Sequence, residues 1–290
     1  MFSKQMKRHM SSRSCGSWVV AGTLLALIMV AALHLLRTDY NPLRNFTSEY
    51  LLGPFGILAA AAAFILAATF LILLVGLRLT VRPSVFLTAS CVLLGVMVVS
   101  VCVCAVFPFD PLPPDDSHPT FISSGAIIHV VSSALLYVSL IALLLTLPSA
   151  YKRDDNWRPF SHVTLSLGFL NLASFAALVF APFYLRGLAQ RGGWLAVLVW
   201  LLLTGLRLRQ AIPESFIRAA LLFVMAITFI IFLAAGVFRI SSSFFTPPRT
   251  PYLYWGLVVL CIAMGTFSFW RGIVELFSYL RERKMESSLR

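Results

Sequence analysis

Long apolar runs follow one another from end to end of this chain and leave few options for its fold. Eight of them are separated by short polar or charged stretches: Trp18 to Leu36, then 53–77, 84–107, 121–148, 161–184, 193–206, 219–238 and 251–270. A helix that crosses the hydrocarbon of a bilayer needs about 20 mostly apolar residues, and most of these runs have that length. The exception is 193–206, bounded by Arg191 and Arg207. It is expected to be short, tilted, or lengthened by flanking arginines that reach the interface. With 59% hydrophobic and 12% charged residues and a mean hydropathy of +0.89, a soluble domain would have nowhere to bury so much apolar surface. The expected fold class is all-α, a polytopic transmembrane bundle of about eight helices.

The basic residues give this bundle a direction. If the N-terminus is cytoplasmic, 17 of the 23 Lys and Arg residues fall on the cytoplasmic side and 6 on the other, the bias that orients membrane proteins. Both termini are then cytoplasmic. The first run is too long for a signal peptide and no small-x-small cleavage site follows it, so it is expected to stay as a helix. Residues 1–16 form a cytoplasmic tail and 17–210 a six-helix membrane domain. Residues 211–290 form a two-helix extension with a basic tail, set off by Arg207-Leu-Arg-Gln-Ala-Ile-Pro-Glu-Ser215. An arginine-rich chain of this kind is expected in the plasma membrane of a bacterium, the inner membrane.

The net charge of +12 does not imply nucleic acid, because the basic residues sit in small clusters between apolar runs rather than on one solvated face. The expected partners are membrane lipids and other membrane proteins. Of the five cysteines, all but Cys15 lie inside apolar runs, with no disulfide or zinc spacing. No phosphate-cradling Gly loop, nucleophile elbow, H-E-x-x-H or pair of facing heme histidines is present, and no cofactor is expected.

Chemistry is concentrated at the outer lip. Thr38 to Tyr50 carries Asp39, Asn41, Arg44, Asn45, Ser48 and Glu49, and His34 lies just before it. Polar groups pressed against a membrane mark functional sites by default. A second outer loop, 107–120, holds Asp110 and five prolines that deny it a helix. His129 lies on the next helix, at helical spacing with Gly125, Ser132 and Ser133. Candidate ligand-binding residues are His34, Asp39, Arg44, Ser48 and Glu49. Candidate catalytic residues are His129, Asp110 and Glu49, as acid–base groups. Candidate metal ligands are His118 and Asp116, in Asp115-Asp116-x-His118. For each there is a structural alternative: His129 as interhelical glue, the acidic loop as ordinary outer-side composition, Arg44 ion-paired to Asp39 or Glu49, and Asn171 as a structural hydrogen bonder.

His34-x-x-x-x-Asp39-Tyr-Asn-Pro42, followed by Phe46-x-Ser48-Glu49-Tyr50-x-x-Gly53-x-x-Gly56, resembles the opening signature of a family of bacterial integral membrane proteins, domain of unknown function 998. Phe107-Pro-x-Asp110-Pro111 with the downstream His129 is similar to that family's second signature. The resemblance covers residues 17–210 and implies a six-helix membrane domain without an assigned activity. The positions it carries over are Asp39, Pro42, Ser48, Glu49, Asp110 and His129. The long proline loop and the two-helix tail depart from it. Taken together, these features lead to a multi-pass protein whose outward polar, acidic pocket binds, senses or scaffolds. Two alternatives stand beside that reading: a membrane-embedded lipid hydrolase or transferase using His129, Asp110 and Glu49, and a small-solute or proton pathway through Asn171 and His129.

Overall fold

The computed structural model describes residues 2–111, 123–180 and 183–209. All belong to the first of two compact units into which the chain divides, Met1–Ala211 and Ile212–Arg290. The expected seventh and eighth helices, and His118 and Asp116, lie outside the described residues.

Six helices make up the described part: α1 (Phe2–Leu36), α2 (Gly56–Thr80), α3 (Val85–Val106), α4 (Ser124–Tyr151), α5 (Phe160–Phe180) and α6 (Arg186–Leu208). All six contain a stretch long and apolar enough to cross a membrane; in α1 it is Ser12–Leu36. In hydrocarbon a helix satisfies its backbone within the segment, so each apolar run becomes a rod. Of the forms expected for the sixth rod, the structure shows a lengthened one. It begins at Arg186 rather than near residue 193 and has 23 residues, so Arg191 lies inside it rather than flanking it. α3 stops at Val106, and Asp110 lies in the segment beyond it. Ser84 and Ser123 cap α3 and α4, accepting from Leu87 N and Ala126 N, each at 3.1 Å.

Each helix packs on the next, and α6 packs back on α1, so the six form a closed ring. Between lipid and protein there is no hydrophobic drive, so small residues and close packing hold such rings. The α1–α6 closure depends on that. A Cβ on Gly16 would stand 2.5 Å from Gly205 O, so only glycine lets these two backbones cross. Leu35, Val85 and Ile57 project outward at 80%, 80% and 87% exposure, while Ser90, His129, Thr164, Asn171 and Thr204 are buried within. The apolar side faces the bilayer and the polar side faces the ring.

The two ends of the ring differ. One end carries Arg78, Arg82, Lys152, Arg153, Arg158, Arg207 and Arg209 and is closed by a stack of Tyr151 on Trp157, 4.8 Å apart. The other end, called the lip below, gathers the C-termini of α1, α3 and α5 and the N-termini of α2, α4 and α6.

Candidate functional site

The segment from Arg37 to Phe55 folds into a cap over the lip. Arg37 is 5% exposed. Its guanidinium forks onto Asp39, Nε to Oδ1 at 2.9 Å and Nη2 to Oδ2 at 2.8 Å. It also donates to Leu52 O and lies 3.8 Å over the Tyr40 ring. One side chain thus ties the start of the cap to its end, and Asp39 pairs with Arg37 rather than with Arg44. Gly53 completes the closure at φ +82°, with the Arg37 Nη1 3.3 Å from where a Cβ would stand; that backbone conformation favours glycine. Around Pro42, Asn41 Oδ1 accepts from Leu43 N at 3.0 Å and Asn45 Oδ1 accepts from Asn41 N at 2.9 Å. A short 3-10 helix, Thr47–Leu51, follows. Glu49, 3% exposed, accepts from Phe46 N at 2.6 Å and from Asn45 Nδ2 at 2.7 Å. Its two oxygens hold the turn that enters that helix.

The N-terminal turns of α6 stitch this cap to the ring. Leu188 N donates to Leu43 O at 3.0 Å. Gln190 Oε1 accepts from Thr47 N at 2.7 Å and from its hydroxyl at 2.9 Å. Arg191 is the centre of the arrangement. It donates Nε–H to His34 Nε2 at 2.8 Å and Nη1 to Pro42 O and Asn45 O at 2.7 and 2.6 Å. Further contacts are Nη1 to Gly187 O at 3.1 Å and Nη2 to the Tyr50 hydroxyl at 3.3 Å. None of these hydrogen-bond acceptors is a carboxylate; they are four neutral oxygens and one imidazole. His34 donates Nδ1–H to Val30 O at 2.7 Å, which leaves Nε2 bare to accept from Arg191. Tyr50, 1% exposed, fills the space between, with its ring 5.1 Å from His34 and 5.6 Å from Tyr40.

Under the cap lies a cavity of about 380 Å³. Ala26, Ala59, Ala63, Leu66, Ala105 and Leu198 stand among the apolar side chains that line most of it. At the cap end it is lined by Thr47, Ser48, Gln190 and Arg191, and on the α3–α4 side by Cys104, His129, Ser133 and Tyr137. A greasy chamber with a polar end is thus lined by helices from both halves of the ring.

Each of the three candidate catalytic groups is bonded to a neighbouring turn or loop. Asp110 accepts from Ser123 N at 2.8 Å and from the Ser123 hydroxyl at 2.7 Å, clasping the two ends of the α3–α4 connection. His129 donates Nδ1–H to Phe107 O at 2.7 Å, and Phe109 stands against it edge-on, 6.0 Å between centroids. No hydrogen bond or ion pair joins any two of Glu49, Asp110 and His129; each secures a local turn. Of the three only His129 lines the cavity. Among the described residues no group of three or more His, Cys, Asp or Glu is placed to hold a metal ion. Ser48 lines the cavity and His34 sits beneath the cap through Arg191, while Asp39 is exposed and engaged by Arg37. Arg44 lies in the turn that packs on Gly187. Arg37, Gln190, Arg191 and Tyr137 were not singled out from the sequence. The one available signal was the position of Arg191 close to the start of a run that is short for a span.

Two loop carboxyls are shifted. Asp39 is held below the usual carboxylate range, chiefly by the Arg37 hydrogen bonds. Asp110 is held low by the Ser123 backbone N–H and then by its hydroxyl.

A family described as Protein of unknown function (DUF998) has a model that matches residues 20–207. No curated protein and no solved structure matches the chain.

Proposed function

From the premise that the chain belongs to the DUF998 family, we propose that its six-helix unit binds an amphipathic, lipid-like molecule in the capped cavity. The observation that carries this reading is the cavity itself: about 380 Å³, within the range that takes a small ligand, apolar along its length and polar at the cap. An alkyl body would lie among the alanines and leucines of α1, α2 and α3. Its head would meet Ser48, Thr47, Gln190 and the edge of Arg191.

In this reading the protein sits in a bacterial inner membrane with both chain ends cytoplasmic and the lip outward. The support is the distribution of charge: the end opposite the lip holds the larger number of basic side chains, whereas Arg37 and Arg191 at the lip are committed to hydrogen bonds inside the cap. In this reading His129, Asp110 and Glu49 serve to hold loops, so the protein is proposed to bind and respond rather than to catalyse.

The test is native mass spectrometry of the protein released from nanodiscs of bacterial lipid. The wild type is expected to retain one lipid-sized adduct. Ala63→Phe and Ala105→Phe, which fill the cavity from α2 and α3, are expected to lose it while keeping their fold. An adduct that survives both substitutions, or a wild type that never carries one, would remove the reading.

A further inference from the structure

Some hydroxyls inside this bundle are returned to their own helix. Thr23, Thr69, Thr80 and Thr204 each donate to the carbonyl four residues back, at 2.7, 2.8, 2.9 and 2.6 Å. Another set is not. Ser161, Thr164 and Ser174 on α5, Ser90 on α3, the Tyr151 hydroxyl on α4 and the Trp200 indole N–H on α6 meet no protein partner. All six residues are at most 2% exposed. Buried polar groups in native structures are nearly always satisfied, and when protein does not do it, bound water does.

Three of these groups line up along one face of α5. Ser161, Thr164, Gly168, Asn171 and Ser174 share the buried face of α5 at three- and four-residue intervals, spanning about 20 Å of helix at 1.5 Å per residue. Asn171 adds a weak bond only, Nδ2 to Leu167 O at 3.4 Å. Glycines bring the neighbouring helices close against the seam on both sides. Gly168 lets α5 approach Leu144 of α4, and a Cβ on Gly193 of α6 would touch Ser174 at 3.4 Å and Asn171 Oδ1 at 3.6 Å. Gly193 adjoins Trp194 and lies one turn from Gln190. Both line the cavity together with Tyr137. The upper end of the seam thus lies one turn of α6 from the polar end of the chamber. Its other end reaches Tyr151 and the basic end of the ring.

The geometry points to a bound file of water between α4, α5 and α6, running from the cavity along Ser174, Asn171, Thr164 and Ser161. No Asp, Glu, Lys or Arg belongs to the buried face of α5, so the seam suits a neutral ligand that both donates and accepts rather than an ion. Such a file supplies the hydrated track that polar groups at the lip alone do not. It lies on a different wall from the alkyl-binding surface and stands or falls separately from it.

Two measurements test it on the full-length protein. In radiolytic hydroxyl-radical footprinting, radicals form from water at the site, and Tyr151 and Trp200 are expected to be labelled despite their burial. Thr164→Val and Ser174→Ala remove a hydroxyl with little change of shape. If the hydroxyls hold water, each substitution is expected to lower Tm by about 2–4 °C. If they are dry, removing an unsatisfied group raises it. Absence of label on both rings, or a rise in Tm in these variants, overturns the proposal.

Discussion

Arg191 of α6 donates its Nε–H to Nε2 of His34 on α1 at 2.8 Å, across 157 positions of sequence. This contact and those to Pro42 O, Asn45 O and the Tyr50 hydroxyl hold the cap on the ring. His34 can accept there only because its other nitrogen donates to Val30 O. The two helices that close the ring are thus joined by side chains at the lip and by the Gly16–Gly205 crossing below.

Replacing Arg191 by Ala is expected to leave His34 Nε2 and the Pro42 and Asn45 carbonyls without this donor. Losing bonds to a charged, partly buried donor costs about 1.5–3 kcal/mol each where the partner stays buried. A total loss of about 3 kcal/mol is expected, because some carbonyls will find water. Arg191→Lys keeps the charge but not the fork and should recover less than half of it. Thermal unfolding in detergent measures both, and a lysine variant as stable as wild type would contradict the role given to the fork.

Gly187→Ala tests the seat of the cap. The added Cβ would fall 2.5 Å from Asn45 O and 2.7 Å from Pro42 O, both backbone atoms. Overpacking of this kind costs about 1–3 kcal/mol, and limited proteolysis within 38–46 should accelerate. Gly95→Ala is the control: nothing lies within 4 Å of its added Cβ, so the helix should gain about 0.5–1 kcal/mol.

Ser123 both clasps Asp110 and caps α4, donating to one and accepting from Ala126 N. Ser123→Ala is expected to cost about 1–2 kcal/mol. Ser123→Thr, which keeps the hydroxyl, should cost less. Equal losses in the two variants would show that the hydroxyl is not what matters.

The carboxyls of Asp39 and Asp110 lie below their ordinary values in the folded protein. A lowered value means stability that is fully present above the unfolded value near 4 and is lost as pH falls through the folded one. The thermal midpoint should be level from pH 7 to about 5 and decline below about 4. Asp39→Asn combined with Asp110→Asn should lower it at pH 7 and flatten the decline. Parallel curves for wild type and variant would exclude these two groups as the cause.

Much of the architecture was legible locally. The runs 53–77, 84–107, 121–148 and 161–184 became α2 to α5 within a few residues of their expected ends. The cap segment was also visible, because polar residues between two spans are conspicuous in an oily sequence. Less of the site was legible. Asp110 and Glu49 share an end of the bundle, yet a common end does not fix a distance in a ring of six helices, and each acid is closer to its own turn than to the other. Arg191 was counted as a flank because an arginine near the edge of a span reads the same whether it reaches outward to water or inward to carbonyls.

Hydropathy and charge by themselves determined that this chain is a multi-pass membrane protein built of helices, since a run of about 20 apolar residues must satisfy its backbone within itself whatever its neighbours do. Only the tertiary structure decided which way the polar groups turn. Arg191 finds its partners in α1 and the cap, more than 140 positions away, and the cavity exists only because α6 closes on α1. Those are contacts between segments, set by how six rods pack, and no single segment carries them.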